Sequence, residues 1–430
     1  MGLIIDSFAG GGGASTGIEL ALDRSPDIAI NHSAEALAMH ARNHPRTVHI
    51  VDDVWKVDMP KLVRGRPVDL LWASPDCTHH SKAKGGKPRD NDRRGLADVV
   101  VDWARDIRPN VIALENVTDF AGWGPLDEDG QPIKARRGED FARWVSAIQS
   151  HGYELEHRDL SACDYGAPTS RKRLFLVARR DGRSIHWPMP THGPGLPHAW
   201  RSAAECLDWS VPVPDVFGRE RPLVPATLRR IAHGLERFVF GTDTPFYVPG
   251  GIAFLIQTSY GERKAKGTHK AQAPRVLDIS DPLGVVVAGG IKHAVVVAFI
   301  ARHYGGNGTP GASPMEPLHT ITCKDHHALV TATIGSRAEQ PANVREFLAA
   351  YCPPPAADLF GARPRPIITA LGMRLLTPRE LFRAQGFPDS YDITAPSVSA
   401  AVRLVGNSVS PPVAAALVRA NLGKQARRAA

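Results

Sequence analysis

The stretch Leu3-Ile-Ile-Asp-Ser-Phe-Ala-Gly-Gly-Gly-Gly-Ala-Ser-Thr-Gly17 decides the fold. Its apolar run over residues 3–5 predicts a buried strand, and the glycines that follow lead into a helical pattern over residues 16–21. In a doubly wound sheet, a glycine-rich turn between the first strand and the first helix lets the backbone approach a nucleotide-like ligand closely. The stretch therefore predicts an α/β protein with a ligand site after its first strand.

The spacing of these glycines limits which ligand is expected. A dinucleotide fingerprint needs glycine at its first, third and sixth positions. Counted from Gly10, the third position is Gly12 but the sixth is Ser15. The spacing argues against a nicotinamide dehydrogenase, and a glycine-rich turn without any ligand is a further alternative for this motif taken alone.

Short apolar runs and helical patterns continue to alternate along the first 180 or so residues. We expect strands at residues 28–30, 70–72, 111–114 and 174–178, and helices over residues 35–42 and 96–107. Alternation of this kind predicts a parallel sheet covered by helices. The expected fold class is thus α/β, with a doubly wound and mostly parallel sheet.

A change in amino-acid composition after Arg183 indicates a second domain. The 430 residues exceed what one hydrophobic core usually supports, and prolines become frequent beyond this point. We place the first domain at residues 1–184, a smaller β-rich domain at 185–370, and a helical return segment at 371–430. Within the second region, residues 281–296 echo residues 316–330, which predicts a duplicated hairpin because two repeats are too few for a solenoid.

Composition restricts the compartment and the partners. The formal charge of +8 suits a polyanionic partner such as nucleic acid, although many basic proteins have none. The five cysteines include no C-x-x-C pair, which argues against a disulfide framework or a zinc site. Because the N-terminus lacks a basic segment and a long apolar run, we expect a cytoplasmic protein without a membrane span.

Residues 69–82, DLLWASPDCTHHSK, carry a predicted strand into a turn that presents Cys77 at the carboxyl edge of the sheet. Sites of α/β proteins are built at that edge. A cysteine nucleophile needs cations to lower its pKa from about 8.5, and lysines or arginines follow at positions 82, 84, 87, 89, 93 and 94. A buried structural cysteine is the alternative.

Two further segments place charged side chains next to predicted strands. Glu115 ends the strand at residues 111–114 and could act as a proton donor, although an acid at a strand end is often only solvated. Arg171 and Arg173 directly precede the strand at 174–178, and both could contact a carbonyl or a phosphate.

The order and content of these four segments resemble the bacterial and phage DNA cytosine-5 methyltransferase family. Residues 373–388 and 404–413 look like the family's last two motifs, so the resemblance covers about residues 1–180 and 371–420. It implies a Rossmann-like fold that binds S-adenosylmethionine, releases S-adenosylhomocysteine and needs no metal. It also implies that residues 185–370 form the target-recognition domain and that residues 371–430 complete the catalytic domain.

The resemblance assigns roles to individual residues. Cys77 corresponds to the nucleophile, Glu115 to the acid at ring nitrogen 3 of cytosine, and Arg173 to the arginine that binds the base; Arg171 and Ser81 complete the expected catalytic set. The late motif containing Asn407 and Ser408 is implied to fold back beside the methionine moiety. The expected cofactor contacts are Phe8, Gly10, Gly12, Asn31, Asp53, Pro75, Asn407 and Ser408.

Four positions depart from the family pattern. Asp76 and Thr78 stand where the family has proline and glutamine beside the cysteine, and an anion at Asp76 disfavours the Cys77 thiolate. Asn31 stands where the family has the acid that binds the ribose, with Glu35 one helical turn away. Thr169 replaces the glutamine before the arginine pair.

The function implied is methyl transfer to carbon 5 of a flipped cytosine in a specific duplex DNA sequence, through a covalent Cys77 adduct, with residues 82–94 as the closing loop. The alternatives are a transfer RNA methyltransferase of the same family and a DNA-binding relative without activity, for which Asp76 is the best argument. We expect a monomer whose partners are double-stranded DNA and, in a separate chain, a cognate restriction endonuclease.

Overall fold

The computed structural model describes residues 2–75, 94–242, 246–248, 251–257, 276–283, 293–299, 327–334, 340–352 and 367–423. The chain divides into two compact units. Unit 1 consists of Met1–Ala167, Arg171–His198 and Gln385–Ala430, and unit 2 consists of Pro168–Ser170 and Ala199–Ala384. The long segment of unit 2 therefore runs from residue 199 to 384, whereas the expected second domain runs from residue 185 to 370.

Unit 1 contains a seven-stranded sheet. Its strands are β1 (Leu3–Ser7), β2 (Ile28–Asn31), β3 (Val48–Val51), β4 (Val68–Ala73), β5 (Val111–Asn116), β6 (Glu154–Ser161) and β7 (Lys172–Arg179). They lie in the order β3-β2-β1-β4-β5-β7-β6, and all neighbours are parallel except β5–β7 and β7–β6. The predicted α/β class with a mostly parallel sheet is confirmed. The strand order reverses between β1 and β4, which is where a doubly wound sheet binds its ligand.

Helices cover both faces of this sheet. The first five are α1 (Gly13–Leu22), α2 (Ala34–Asn43), α3 (Met59–Val63), α4 (Asp98–Asp106) and α5 (Glu139–Ser150). Leu3 and Ile5 belong to one core cluster and Ile4 to another, because successive side chains of a strand point to opposite faces. On the first face, Trp103 of α4 and Trp144 of α5 join the buried cluster.

The two edge strands of the sheet were not predicted from the sequence. β6 is largely exposed and reads Glu-Leu-Glu-His-Arg-Asp-Leu-Ser, so it has no apolar run. β3 is short, and its Val48 and Val51 are exposed. A strand with one free edge and little buried surface lacks the hydrophobic pattern on which sequence prediction depends.

Unit 2 combines an antiparallel sheet with helices. Its elements are α6 (Pro225–Leu235), β8 (Tyr247–Val248), β9 (Gly251–Gln257), β10 (Val276–Leu277), β11 (His293–Phe299), β12 (His327–Ile334), α7 (Ala342–Tyr351), β13 (Ile368–Leu375) and α8 (Pro378–Ala384). β9 pairs with β8, β10 and β11, and β12 pairs with β13. The two histidines of the internal repeat, His293 and His327, each begin a strand of this sheet. Residues 284–292 and 316–326 of the predicted hairpins lie outside the described residues.

A buried ion pair organises the first of the two late motifs within unit 2. The guanidinium group of Arg374 donates to both carboxylate oxygens of Glu380, at 2.8 and 2.9 Å. The backbone N–H groups of Asp208 and Thr377 donate to the same carboxylate. Because buried charges must be paired and hydrogen-bonded, these residues serve the folding of unit 2.

The return segment adds two helices to unit 1, α9 (Val398–Gly406) and α10 (Pro411–Leu422). α10 lies along α1, and a Cβ atom on Gly17 would stand 2.5 Å from Cβ of Ala414, so glycine is required for this close approach. By length and composition alone, Val398–Leu422 could cross a membrane. It consists of two helices, however, and its most apolar part is 78% buried, which is typical of core helices.

Candidate active site

A recess lies where β1 ends and α1 begins. Four of the expected cofactor contacts line it, Phe8, Gly10, Asn407 and Ser408. The other lining residues are Asp6, Ala9, Gly11, Gly13, Ala14, Ser74 and Val409. The structure therefore brings the glycine-rich turn and the late motif together within unit 1, and we call this cavity the glycine-loop recess.

The four consecutive glycines have different tasks. A Cβ atom on Gly13 would lie 2.0 Å from the carbonyl oxygen of Val409, and one on Gly11 would lie 2.7 Å from Oγ of Ser408. At Gly12 the backbone is left-handed (φ 79°), and a Cβ atom would meet the Tyr391 hydroxyl at 2.0 Å. A Cβ atom on Gly10 would meet nothing closer than 3.9 Å. Gly11, Gly12 and Gly13 thus leave room for residues of the return segment. Gly12 does not line the recess, whereas Gly10 lines it without a close neighbour.

Phe8 has an unusual backbone conformation. Its φ angle is 60°, in the left-handed region that a bulky non-glycine residue rarely adopts. Conformations of this kind cost about 1–3 kcal/mol and are concentrated at ligand-binding sites. The strain and the position of Phe8 in the recess wall both suit a residue that contacts a ligand.

Two further expected cofactor contacts, Asn31 and Asp53, are not among the residues that line the recess. The amide group of Asn31 accepts a hydrogen bond from the Ser33 backbone N–H at 2.8 Å and donates one to the Ala9 carbonyl at 3.3 Å. Asp53 is exposed and accepts from the Trp55 backbone N–H at 3.1 Å. Glu35 forms an ion pair with Arg403 of α9. The Asn31 side chain thus connects two loops of the unit.

The strand end that precedes Cys77 is fixed by a neighbouring strand. The side-chain amide of Asn116, at the end of β5, donates a hydrogen bond to the carbonyl oxygen of Pro75 at 3.2 Å. The carboxyl ends of β4 and β5 therefore meet at this point of the sheet. Cys77, Ser81 and residues 82–93 of the predicted closing loop lie outside the described residues.

Glu115 and the two predicted arginines form one cluster. Oε1 of Glu115 lies 3.4 Å from Nε of Arg173 and 3.7 Å from an Nη atom of Arg171. Glu115 is 7% exposed, and Oε1 has no hydrogen-bond partner among the described residues. Because a buried acceptor without a hydrogen bond is costly, such an atom marks a position where a ligand's donor would be stabilised.

Arg171 also connects this cluster to the return segment. It is 5% exposed, and its guanidinium group donates to the carbonyl oxygen of Gly406 at 3.2 Å. Gly406 directly precedes Asn407 and Ser408 of the recess wall. Arg171 therefore contacts the predicted acid on one side and the segment that completes the recess on the other.

The cysteines that the structure describes are unsuited to nucleophilic attack. Cys163, Cys206 and Cys352 are buried. Burial raises the pKa of the Cys163 thiol to about 12 and that of Cys206 higher still. A nucleophile must form a thiolate, so none of these three fits that role.

A chain of buried polar side chains extends from the recess through α1 and α2 to β3. Oγ of Ser15 lies 2.6 Å from Oδ2 of Asp6 and 2.8 Å from Nε2 of His40. Nδ1 of His40 lies 2.8 Å from Nε2 of His49. Asp6 and His40 are 1% and 0% exposed, whereas His49 is partly exposed. We call Asp6, Ser15, His40 and His49 the polar chain.

Burial governs the protonation of this chain. It raises the pKa of Asp6 to about 7, against the lowering effect of the hydrogen bonds from Ser15. Burial also lowers the pKa of His40 well below its usual value, and the nearby His44 and His49 lower it further. Asp6 therefore titrates near neutral pH while His40 stays uncharged.

Sequence reasoning did not assign roles to several residues of this region. The spacing of His40 and His44 on one face of a helix is visible in the sequence, but their connection to Asp6 depends on how α1, α2 and β3 pack. Tyr391 of the return segment, whose hydroxyl donates to the Gly11 carbonyl at 2.9 Å, has no local sequence signal at all. Asn116 was visible only as part of the motif around Glu115.

Among the ranges that the structure describes, no cluster of three or more His, Cys, Asp or Glu residues is arranged to hold a metal ion.

Comparison with known sequences finds one family and several curated relatives. The profile of the C-5 cytosine-specific DNA methylases matches residues 3–198 and 320–422. The type II methyltransferase M.AgeI of Thalassovita gelatinovora is 32% identical over 194 residues, which are 44% of this chain and 42% of that protein. M.SacI of Streptomyces achromogenes is 28% identical over 209 residues, covering 44% and 50%. The chain thus matches about half the length of these relatives or less.

Comparison with solved structures supports the fold. A mutant of Spodoptera frugiperda DNMT2 has a TM-score of 0.53 at 16% identity, with 97% of this chain and 98% of that one covered. The S. pombe Dnmt2 methyltransferase has a TM-score of 0.51 at 14% identity, with coverage of 97% and 96%. At these identities the likeness extends to the fold alone.

Proposed function

Because the family profile matches most of its length, the chain belongs to the C-5 cytosine-specific DNA methylases, and we propose that it transfers a methyl group from S-adenosylmethionine to carbon 5 of cytosine in duplex DNA. The observation that carries the proposal is the buried, unbonded Oε1 of Glu115 between Arg171 and Arg173. A protonated ring nitrogen of a flipped cytosine supplies the donor that this atom lacks.

The glycine-loop recess has the chemistry needed for the methionine end of S-adenosylmethionine. Asp6 offers a carboxylate to its ammonium group, and the first turn of α1 offers the positive end of a helix to its carboxylate. Phe8, Gly10, Asn407 and Ser408 complete the wall. When bound, the cofactor supplies an electrophilic methyl group on a sulfonium.

Carbon 5 of cytosine is a poor nucleophile, so the chain must activate the ring. The thiolate of Cys77 forms a bond to carbon 6, while Glu115 hydrogen-bonds or protonates nitrogen 3 and receives the charge that moves onto the ring. After carbon 5 is methylated, a base removes its proton, the bond from Cys77 to carbon 6 breaks, and nitrogen 3 returns to Glu115 any proton that it received. The Cys77 thiolate is regenerated, and the ring is aromatic again.

Arg171 and Arg173 hold Glu115 and the base in register for these steps. Arg173 lies 3.4 Å from Oε1 of Glu115, so its guanidinium group can face the carbonyl oxygen of a cytosine whose nitrogen 3 meets the same carboxyl group. Arg171 holds Glu115 in place by its ion pair with that residue and its hydrogen bond to the carbonyl oxygen of Gly406. The base must leave the helix to reach this cluster, and its unstacking costs a few kcal/mol that protein contacts offset.

The DNA sequence is read, in this proposal, by residues 185–370, most of which fall in unit 2. The net charge of +8 favours a polyanion, and the similarity to type II methyltransferases supports DNA as the substrate and a cognate restriction endonuclease in a separate chain. We further propose a monomer that acts in the cytoplasm without a metal.

The test is transfer of labelled methyl from S-adenosylmethionine to duplex DNA and to transfer RNA, followed by base-resolved mapping of the product. Cys77→Ala is compared with Cys163→Ala, a matched substitution at a buried cysteine outside the proposed catalytic and DNA-reading segments. We expect label at carbon 5 of cytosine in one short DNA sequence, no detectable transfer by Cys77→Ala, and transfer close to the parent level by Cys163→Ala.

Other outcomes each select an alternative. Label in transfer RNA alone would assign the chain to the RNA-modifying branch. Binding of DNA without transfer to either substrate would identify a silent relative, with Asp76 as the first position to revert to proline. Transfer by Cys77→Ala at the parent rate would rule out Cys77 as the nucleophile.

A further inference from the structure

The polar chain consists of four side chains in unbroken hydrogen-bond contact, and it joins the wall of the glycine-loop recess to a partly exposed histidine. Asp6 lines the recess, Ser15 and His40 are fully buried, and His49 lies on the edge strand β3. The three contacts measure 2.6, 2.8 and 2.8 Å. Packing alone does not require buried polar groups, so this arrangement needs a functional account.

Hydrogen-bond donation must run in one direction along the polar chain. An ionised Asp6 can only accept hydrogen bonds, so the Ser15 hydroxyl donates its single hydrogen to Asp6. The Ser15 oxygen must then accept a hydrogen bond from Nε2–H of His40. Nδ1 of His40 is then an acceptor for Nε2–H of His49. When Asp6 is protonated, each donor reverses: Asp6 donates to Ser15, Ser15 to Nε2 of His40, and Nδ1–H of His40 to His49. The two states differ by one proton.

We propose that Ser15 and His40 are positioning residues of the cofactor site, which hold the Asp6 carboxylate toward the recess and carry its proton to and from His49. The proposal rests on the proposed function only in naming S-adenosylmethionine as the ligand. As the ammonium group of the ligand enters, Asp6 gives up its proton to Ser15, Ser15 passes one to His40, and His40 passes one to His49. His49 releases one proton to solvent, so charge and atoms balance.

The charges around the chain are consistent with this exchange. From α1, Glu19 faces His44, with Oε2 2.9 Å from Nδ1, and from α2 the ring of His44 lies 4.6 Å from that of His40. From the return segment, Tyr391 faces Asp6, and burial and that acid both raise the pKa of the Tyr391 hydroxyl. The pKa of His49 is lowered by burial, although a hydrogen bond with the Thr47 backbone opposes this.

The proton exchange can be measured because Asp6 titrates near neutral pH. Because burial raises the pKa of Asp6 to about 7, about a tenth of the free protein is ionised at pH 6 and most of it at pH 8. If binding requires the ionised form, affinity falls in proportion to that fraction. S-adenosylhomocysteine keeps the ammonium group and is stable, so it is the probe.

The experiment combines two measurements on the full chain. Calorimetry with S-adenosylhomocysteine at pH 6 and 8, in buffers of different ionisation enthalpy, is expected to show about tenfold weaker binding at pH 6 and release of nearly one proton there. Nitrogen-15 spectra of labelled histidines in the free protein are expected to show His40 neutral throughout, with Nδ1–H at pH 5.5 and Nε2–H at pH 8.5.

Ser15→Ala tests the link itself, with Ser146→Ala in α5 as the matched control, since Ser146 is exposed and bonds only its own helix. Loss of the Ser15 hydroxyl removes a hydrogen bond that lowers the pKa of Asp6, so the midpoint of the affinity curve moves to higher pH. The His40 tautomer no longer follows pH in Ser15→Ala. Ser146→Ala keeps both parent behaviours.

A single His40 tautomer at both pH values in the parent protein overturns the chain, whether or not Ser15→Ala folds. Affinity that is equal at pH 6 and 8 overturns its link to the ligand. Failure to bind S-adenosylhomocysteine at any pH contradicts the proposed function instead, and in that case the tautomer measurement alone decides whether the chain carries a proton.

Discussion

Two carboxylates at the same edge of one sheet, Asp6 near the end of β1 and Glu115 near the end of β5, have opposite surroundings. Both are almost fully buried. Glu115 faces two guanidinium groups at 3.4 and 3.7 Å, whereas the hydrogen-bonding partners of Asp6 among the described residues are the side chain and backbone of Ser15, which are neutral. The sheet positions an acid at each strand end, and the neighbours decide the charge that the acid can carry.

This difference corresponds to two tasks. Glu115, held between cations and lacking a hydrogen-bonded donor at Oε1, is arranged to meet a donor on a substrate. Asp6, held by a hydroxyl and backed by uncharged histidines, is arranged to exchange a proton when a cation arrives. Neutral substitution at each carboxylate should therefore have opposite consequences.

The largest effect is expected for Glu115→Gln. The amide keeps the size of the side chain but cannot transfer a proton, and general acid–base groups contribute about 10²- to 10⁴-fold to a rate. We expect kcat for methyl transfer to fall within that range while the affinity for S-adenosylhomocysteine stays unchanged. Single-turnover transfer measures the first and calorimetry the second, with exposed Glu128→Gln as the control. Loss of cofactor affinity instead would show that Glu115 contributes to the cofactor site, and it would contradict the separate tasks of Glu115 and Asp6.

Arg171→Met should affect both stability and catalysis. It removes the contact with Glu115 and the hydrogen bond to Gly406, and it leaves a buried carboxylate with one cation fewer. Breaking a buried pair costs about 3–5 kcal/mol, of which we expect the lower end because Arg173 remains. Thermal unfolding and kcat are compared with those of Arg66→Met, at an exposed site. Unchanged unfolding would show that Arg171 acts on the substrate alone.

Asp6→Asn should stabilise the protein at high pH. The folded protein keeps a proton on Asp6 up to about pH 7, whereas the unfolded chain loses it near pH 3.8, so the Asp6 contribution to stability falls as pH rises through that window. Asn stays neutral and keeps an acceptor for Ser15, so we expect a gain on the order of 4 kcal/mol at pH 8 and little change at pH 4.

Thermal unfolding of Asp6→Asn at the two pH values checks this, with exposed Asp129→Asn as the control. The same variant should bind S-adenosylhomocysteine weakly at every pH, because a neutral amide offers no charge to an ammonium group. A stability difference that does not depend on pH would mean that Asp6 is already ionised at pH 4, and its contrast with Glu115 would disappear.

The local sequence predicted those parts of the molecule that depend on short-range pattern. β1, β2, β4, β5 and β7 have apolar runs, and Glu115, Arg171 and Arg173 stand beside them. The meeting of Glu115 with the two arginines depends on the antiparallel pairing of β5 with β7, which the apolar runs do not reveal. Glycine-rich turns look alike in sequence, however, whether they admit a ligand or another segment. Only the fold shows that Gly11, Gly12 and Gly13 accommodate residues about 380–400 positions away.

The polar chain could not have been predicted for the same reason. Each of its residues has an ordinary local explanation: Ser15 lies in the first turn of a helix, His40 on a helix face, and His49 in an edge strand. Their chemistry arises from contacts between three elements, and no single segment of sequence contains that information.

The smallest effect is expected for Tyr391→Phe, which tests how far the recess depends on the return segment. The hydroxyl donates to the Gly11 carbonyl, so its loss should cost about 1 kcal/mol of stability. Tyr153→Phe is a matched control, because the Tyr153 hydroxyl donates to the Pro109 carbonyl away from the recess. Both variants should unfold at slightly lower temperature, but only Tyr391→Phe should change the affinity for S-adenosylhomocysteine, by a few-fold. Equal affinities would mean that the glycine-rich turn keeps its shape without the tyrosine, so that its own backbone and Phe8 define the recess.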